Sequence, residues 1–298
     1  MDSILQLGVD PSRIIFANPC KTISSLRHAA RRGILKTVFD NEAELLKIKD
    51  ILPEARLYLR ILADDTSSSI RFADKFGVSR EEIPALIALA KRLCLDLVGV
   101  SFHVGTNSKN PQAFAQAIRD ARFVYNTALQ EGIVLQSVDI GGGFNNTNFE
   151  ASAAALSSSM ESEFGALLPK VTFMAEPGRF IAAEVFSLAC KVIGLRSYPT
   201  NMAYINDGIY GNFMNAVIEP PIPTPVLLDF TEEATSHQKE GENATEYAIW
   251  GRTCDATDKI NHSCEFHRRL YVNDWLLFKS MGGKTSDESS SKLEMQSY

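Results

Sequence analysis

"LVGVSFHVGTNSKNPQAFAQAIRDARFVYNTALQEG" fills residues 97–132 and holds one complete change of rhythm. Residues 97–102 are a short apolar, β-rich run. Residues 111–132 are helical in pattern: Asn110 can cap the stretch, Pro111 stands near its start and Gly132 can end it. Between the two lies a polar rim with His103, Gly105 and Thr106. A strand that hands over to a helix through a short polar turn is a βα unit.

The same rhythm extends in both directions. Short β-rich runs recur at 13–17, 37–39, 56–62, 137–140 and 171–175, with a helix-like stretch at 83–95. Strands alternating with helices predict a parallel sheet, and six such units without a break predict a (β/α) barrel or most of one. After residue 184 the rhythm changes. Residues 184–195, 203–209, 246–250 and 275–278 read as strands with no amphipathic helix between them. The expected division is therefore a barrel over 1–184 and a mostly antiparallel β domain over 185–284. That second domain carries a proline-rich, then acidic loop at 219–245, and a Ser-rich polar tail follows at 285–298. Ile4, Leu5 and Leu7 before Gly8 read as the last turns of a helix and its C-cap, so the chain is expected to begin inside a unit.

Composition excludes several classes. A chain of 298 residues can bury a sizeable core, and its balance of apolar and charged residues is that of a soluble globular protein. No apolar run is long enough to span a membrane, and the start MDSILQLGVD lacks the pattern of a signal peptide. A net charge of -6 argues against nucleic acid as a partner. Five scattered cysteines, an odd number, read as reduced thiols in a cytoplasmic protein.

"AEPGRF" (175–180) follows another apolar run. Pro177 fixes one φ angle and Gly178 allows a tight bend, so Glu176 and Arg179 are held in fixed relative positions. "VDIGGGF" (138–144) puts three glycines at a strand's C-terminal end. They read either as a flexible turn or as a place where backbone N–H groups gather around an anion such as a phosphate. His103 reads either as a structural histidine or as a ring that stacks on a flat aromatic ligand, with Gly105 and Thr106 adding an N–H and a hydroxyl. Arg179 suits a phosphate and Glu176 a protonated ring nitrogen. One ligand with a phosphate and a basic ring nitrogen is pyridoxal 5′-phosphate. His262, Ser263, Cys264 and His267 follow no common metal-site spacing, so no metal is expected.

The chain resembles the eukaryotic ornithine decarboxylase family. The matching stretches are "RIIFANPCK" (13–21), "LRILADD" (59–65), "KFG" (75–77), "VGVSFHVG" (98–105), "VDIGGGF" (138–144), "AEPGRF" (175–180), "YINDGIYGNF" (204–213), "WGRTCDATD" (250–258) and "NDWLLFKSMG" (273–282). They keep the family's order over nearly the whole chain. The resemblance implies an alanine-racemase-like (β/α) barrel, N-terminally incomplete, followed by a partial antiparallel β domain. It implies pyridoxal 5′-phosphate as cofactor, L-ornithine or a similar basic amino acid as substrate, and a homodimer with shared active sites.

By the same resemblance, Glu176 pairs with the pyridine nitrogen, His103 stacks on the ring and Arg60 lines the floor. Thr106, Gly142, Gly143, Gly178 and Arg179 surround the phosphate. Cys254 protonates the carbanion after CO₂ leaves, and Asp255 holds the distal amine of the substrate. Lys75 and Asp258 match a charge pair across the dimer interface.

The sequence also departs from the family. The Schiff-base lysine lies upstream in a segment reading roughly Tyr-Ala-Val-Lys, which does not occur here, so the chain as it stands is expected to be inactive. Ile218-Glu219 replaces the Tyr-Asp of the diamine pocket, Ala256 replaces Gly, and Gly283-Lys284-Thr285 replaces Ala-Tyr-Thr. Glu219 is one carbon longer than the family's Asp, which leaves the basic amino acid open. The rival expectation is a non-catalytic relative like the antizyme inhibitors: by the resemblance, residues 21–45, with Lys21, Arg27, Arg31, Arg32 and Lys36, align with the family's antizyme-binding region, while by themselves they read as a solvated basic helix face.

Overall fold

The structure is a computed structural model and describes residues 1–219, 222, 224–228 and 244–283. The tail at 285–298 and most of the loop at 219–245 lie outside the described residues. The chain divides into two compact units, Met1–Pro177 and Gly178–Tyr298.

The first unit is built on six parallel strands paired in sequence order. They are β1 (Ile15–Phe16), β2 (Lys36–Phe39), β3 (Arg56–Arg60), β4 (Asp96–Ser101), β5 (Ser137–Asp139) and β6 (Thr172–Met174). The helices are α1 (Asp2–Gln6), α2 (Ile23–Arg31), α3 (Glu42–Ile51), α4 (Ile83–Arg92), α5 (Pro111–Gln130) and α6 (Phe149–Phe164). Leu57, Tyr58 and Leu59 are all buried, as are all of 97–101, so these strands are covered on both faces. That is why they read as unbroken apolar runs. Asn110 caps α5 by accepting the Gln112 N–H at 3.1 Å, and Asn41 caps α3 through the Glu44 N–H at 2.9 Å. In α5, Phe114, Ala117, Ile118, Ala121, Val124, Tyr125 and Ala128 are buried at helical spacing.

One expectation is overturned here. Lys21 does not belong to a solvated basic face. It is 3% exposed, and its Nζ lies 3.0 Å from Glu44 Oε1 and donates to Val38 O at 2.6 Å. Burial pulls its pKa down, and the Glu44 carboxylate offsets part of that. Lys21 closes the β1–α2 turn against β2 from inside; Arg27 and Arg31 of α2 stay exposed.

The second unit holds α7 (Gly178–Ala182), β7 (Leu188–Arg196), β8 (Met202–Ile205), α8 (Asn215–Ile218), β9 (Val226–Leu228), β10 (Thr245–Trp250), β11 (Lys259–Phe266) and β12 (Trp275–Phe278). Its sheet runs β11-β10-β8-β7-β12-β9, and among the described strands only the β10–β8 pair is parallel. Val192, Ile205, Phe213, Ile249, Leu276 and Phe278 are fully buried, with Phe213 and Phe278 edge to face at 4.7 Å. β11 is a strand that the apolar pattern does not announce. It buries Ile260, Asn261, Cys264 and Phe266 and exposes His262, Ser263 and Glu265. Among the described residues no three His, Cys, Asp or Glu side chains gather as metal ligands.

Candidate active site

The C-terminal ends of β3 to β6 form one rim. Arg60 ends β3, His103 lies two residues past β4, the triple glycine follows β5 and Glu176 follows β6. Backbone bonds lock the rim together: Phe102 N–H to Asp139 O at 3.0 Å, Ile140 N–H to Met174 O at 2.9 Å and Glu176 N–H to Gly141 O at 2.7 Å. The glycines fit that packing. Gly141 has φ +64° and a Cβ there would lie 2.2 Å from Phe102 O; Gly143 has φ +99° and a Cβ there would lie 2.4 Å from Gly105 O. A Cβ on Gly142 would stand 2.7 Å from Glu176 O. The packing of the rim alone requires three glycines, whatever anion they also serve.

His103 is neutral. Its Nδ1 accepts the Gly105 N–H at 3.0 Å, which puts the ring proton on Nε2. Burial, then the Arg60 charge, lowers its pKa to about 4. Its ring meets Phe72 at 4.7 Å between centroids, tilted by 57°.

Asp139 is fully buried; its Oδ1 accepts the Gly141 N–H at 3.0 Å and its Oδ2 has no donor. Burial, then the charge of Glu176, pushes Asp139 up to about 7. Burial also raises Glu176, while Arg60 pulls it back. The two carboxyls therefore hold a surplus proton near neutrality. Arg60 faces the Phe76 ring at 5.1 Å, and burial lowers its pKa against the charges of Asp40, Glu176 and Asp139. The sequence reading missed Asp139. An acid ending an otherwise apolar strand, just before the glycines, was the signal for it.

This gives a pH prediction. An unfolded Asp ionises near ~3.9. Between there and about 7 the folded chain keeps a proton that the unfolded chain has lost. Folding stability therefore falls as pH rises through that window and levels off above it. Asp139→Asn keeps the acceptor for Gly141 and removes the ionisation. It is expected to stabilise the ligand-free chain by about 1–2 kcal/mol at pH 8, since the new amide recovers only part of the linkage. At pH 4 the difference should vanish. Urea unfolding at both pH values checks this; an equal shift at both would contradict it.

The AEPGRF motif spans the boundary between the units in the chain: Glu176 belongs to the first, Gly178 and Arg179 to the second. Gly178 starts α7 with open space where a Cβ would stand. Arg179 Nη1 donates to Glu219 Oε2 at 2.5 Å, and the Glu219 side chain is 6% exposed. The residue expected at a phosphate and the residue expected at a substrate amine are thus an ion pair. Thr106 is half-buried, and its backbone is zipped to Ile70 and Ser69 at 3.0 and 2.8 Å.

Cys254 and Asp255 share an exposed loop of the second unit. Asp255 Oδ2 accepts the Tyr210 hydroxyl, and Oδ1 accepts the Thr257 N–H at 2.8 Å and its hydroxyl at 2.9 Å. The Tyr210 bond is the main cause that lowers the Asp255 pKa and raises that of Tyr210. Asp258, expected at a subunit interface, is 1% exposed, and its carboxylate accepts Ile209 N–H at 2.9 Å, Thr253 N–H at 3.1 Å and Thr253 Oγ1 at 2.6 Å. Lys75 is exposed, with Nζ 5.0 Å from the Phe76 ring.

A parallel barrel-type sheet whose rim holds a neutral imidazole, three close-packed glycines and two neighbouring carboxyls fits a pyridoxal-phosphate domain. Residues 1–183 match the family described as pyridoxal-dependent decarboxylase, pyridoxal binding domain, and the chain belongs to that family. It is 40% identical over 315 residues to ornithine decarboxylase of Neurospora crassa, covering 96% of this chain and 65% of that protein. It is 38% identical over 310 residues to antizyme inhibitor 2 of Xenopus laevis, covering 97% and 66%. Among solved structures, arginine decarboxylase of Paramecium bursaria Chlorella virus superposes with a TM-score of 0.87 at 35% identity, covering 94% of this chain and 74% of that one. The chain thus spans about two thirds of the length of these curated relatives.

Pyridoxal 5′-phosphate is the family's cofactor, and the rim fits it. A basic ring nitrogen is what a buried Asp139 with an unpartnered oxygen and a half-buried Glu176 beside it lack. A neutral, backed imidazole offers a face to an aromatic ring.

Proposed function

We propose that the chain serves the pyridoxal-phosphate-dependent decarboxylation of L-ornithine, or a similar basic amino acid, to a diamine of polyamine synthesis such as putrescine. The bound cofactor supplies an electron sink for the carbanion. The observation that carries this reading is the Asp139–Glu176 pair, whose ionisation burial disfavours and a protonated ring nitrogen would favour. Glu176 holds that proton at the ring, His103 stacks on the ring and Arg60 forms the floor. Thr106, Gly142, Gly143, Gly178 and Arg179 take the phosphate. Cys254 donates the proton that completes the product, and Asp255 and Glu219 hold the distal ammonium. Ornithine and arginine, the substrates in the relatives' names, are both basic amino acids, which supports the class. A homodimer, with Lys75 and Asp258 near its interface, and a cytoplasmic site belong to the same reading. All five cysteines are free, as in a reducing compartment. Among the described residues no helix is long and apolar enough to cross a membrane.

A second reading has one support. The identity to an antizyme inhibitor is nearly as high as to the decarboxylase, and Arg27 and Arg31 lie exposed on α2. On that reading the chain binds antizyme and releases no CO₂.

Both are decided by two measurements on the purified chain. A fluorescence titration with pyridoxal phosphate is expected to saturate, more tightly than with pyridoxal. Glu176→Gln should weaken it most at alkaline pH, where a free pyridine nitrogen needs the carboxylate to stay protonated. CO₂ release from labelled ornithine, arginine and lysine then tests the reaction. Loss of the phosphate preference would refute the site. The family's Tyr-Ala-Val-Lys segment does not occur in the sequence, so absence of CO₂ alone does not separate the two readings; antizyme capture without saturable pyridoxal phosphate binding would favour the second.

A further inference from the structure

The turn after β3 runs over the β4 rim and is tied to it at several points. Ser68 Oγ donates to Val104 O at 2.6 Å, Ser69 N–H to Thr106 O at 2.8 Å, and Thr106 N–H to Ile70 O at 3.0 Å. The turn itself is wound around Asp65, which is 1% exposed. Asp65 Oδ2 accepts the N–H groups of Phe72 at 2.5 Å and Ala73 at 2.8 Å, and Oδ1 accepts Arg71 Nε at 3.3 Å. A buried carboxylate with that many donors is a strong local staple. What it places is the Phe72 ring, against His103.

His103 is thereby enclosed on several sides. Gly105 N–H occupies Nδ1, Nε2 sits so close to Gly142 that a Cβ there would come within 2.8 Å, and the Phe72 ring packs against the imidazole at 4.7 Å, tilted by 57°. We propose that Phe72 is a positioning residue for His103: held by the Asp65 turn, it fixes the imidazole plane so that the ring offers a rigid stacking surface to the cofactor ring. The inference deepens the pyridoxal-phosphate reading of the site and rests on it. The plainer role for Phe72 is to cover apolar surface, and that role makes no demand on an aromatic ring.

The test uses the whole chain. His103 is followed by NMR in the ligand-free protein, assigned with His103→Gln, and pyridoxal phosphate affinity is followed by fluorescence. Arg60 and Asp65 are the charges that act on His103, and no variant alters them. Wild-type His103 should titrate near 4. In Phe72→Ala it should titrate closer to ~6.5, the ordinary value. Affinity should fall roughly 3- to 10-fold, the range of an aromatic pair. Phe72→Tyr should restore both readouts. Phe72→Leu keeps most of the volume, so it is the variant to read if the alanine variant melts early, and it should fail to restore either. Unchanged titration and affinity in Phe72→Ala, or full rescue by Leu, would overturn the proposal. If wild type does not bind pyridoxal phosphate, the reading of the site fails, and the titration alone still decides the role of Phe72.

Discussion

Gly141→Ala is expected to destabilise the first unit by about 3–5 kcal/mol, more than any other small substitution on the rim. Two effects add. A left-handed φ of +64° carries a Cβ cost of roughly 1–2 kcal/mol. The new methyl would also meet Phe102 O at 2.2 Å, and that atom is backbone, fixed by the parallel pairing of β4 with β5. It has no rotamer to escape into, so the strands must separate, at roughly 1–3 kcal/mol or more. Gly132→Ala is the control: φ is +78° but nothing lies within 4 Å of its Cβ position. It should cost only ~1 kcal/mol, from φ alone. Helical circular dichroism reads mainly the first unit, since the long helices α4, α5 and α6 all lie there, so the urea midpoint by that signal is the measurement. Equal midpoints for the two variants would show that the contact is relieved and that the glycine serves only the turn.

What the sequence disclosed follows from where its physics is local. Parallel strands buried on both faces, such as β3 and β4, are runs of Leu, Val and Tyr that need no context. α5 carries its own start signals in Asn110 and Pro111. The rim motifs were legible as motifs, but their glycines were not legible as to cause. A glycine beside a phosphate and a glycine beside a neighbouring carbonyl look alike in a string of letters. Lys21 was misjudged for the same reason. Its partner Glu44 is 23 positions away, beyond any helical spacing, and a charged residue in a polar stretch gives no sign of being buried. β11 escaped because its exposed His262, Ser263 and Glu265 interrupt the apolar signal on which strand reading depends. Phe72 and Asp65 belong to a turn whose role appears only when Ser68–Ile70 is seen laid against 104–106.

Asp258→Ala is expected to cost the second unit about 2–3 kcal/mol. The carboxylate joins two loops distant in sequence: it holds Ile209 N–H from one and the Thr253 N–H and hydroxyl from the other. A Cβ on Gly208 or Gly251 would come within 2.4 or 2.1 Å of its Oδ1, so both loops are pressed against it. Removing it orphans the buried Ile209 N–H, at about 1–3 kcal/mol, and frees the N–H and hydroxyl of the exposed Thr253, which water can largely satisfy. Asp258→Asn keeps an acceptor for Ile209 and turns an amide toward Thr253, whose hydroxyl can accept, so it should cost only ~1–2 kcal/mol. Both tryptophans, Trp250 and Trp275, lie in this unit, so tryptophan fluorescence in urea separates its unfolding from that of the first. The clamp has a second consequence. Asp258 follows the loop that carries Cys254 and Asp255, and Tyr210, one residue after Ile209, donates to Asp255. Freed loops should lose that bond. The Tyr210 phenol, now raised by its bond to Asp255, should then ionise at lower pH, nearer its ordinary value. Ultraviolet titration, with Tyr210→Phe subtracted to isolate the one phenol, reads this in the folded chain. An alanine variant that unfolds with wild type and leaves the Tyr210 titration in place would mean that the loops hold each other without the carboxylate. The position of Cys254 and Asp255 would then have to come from their own loop.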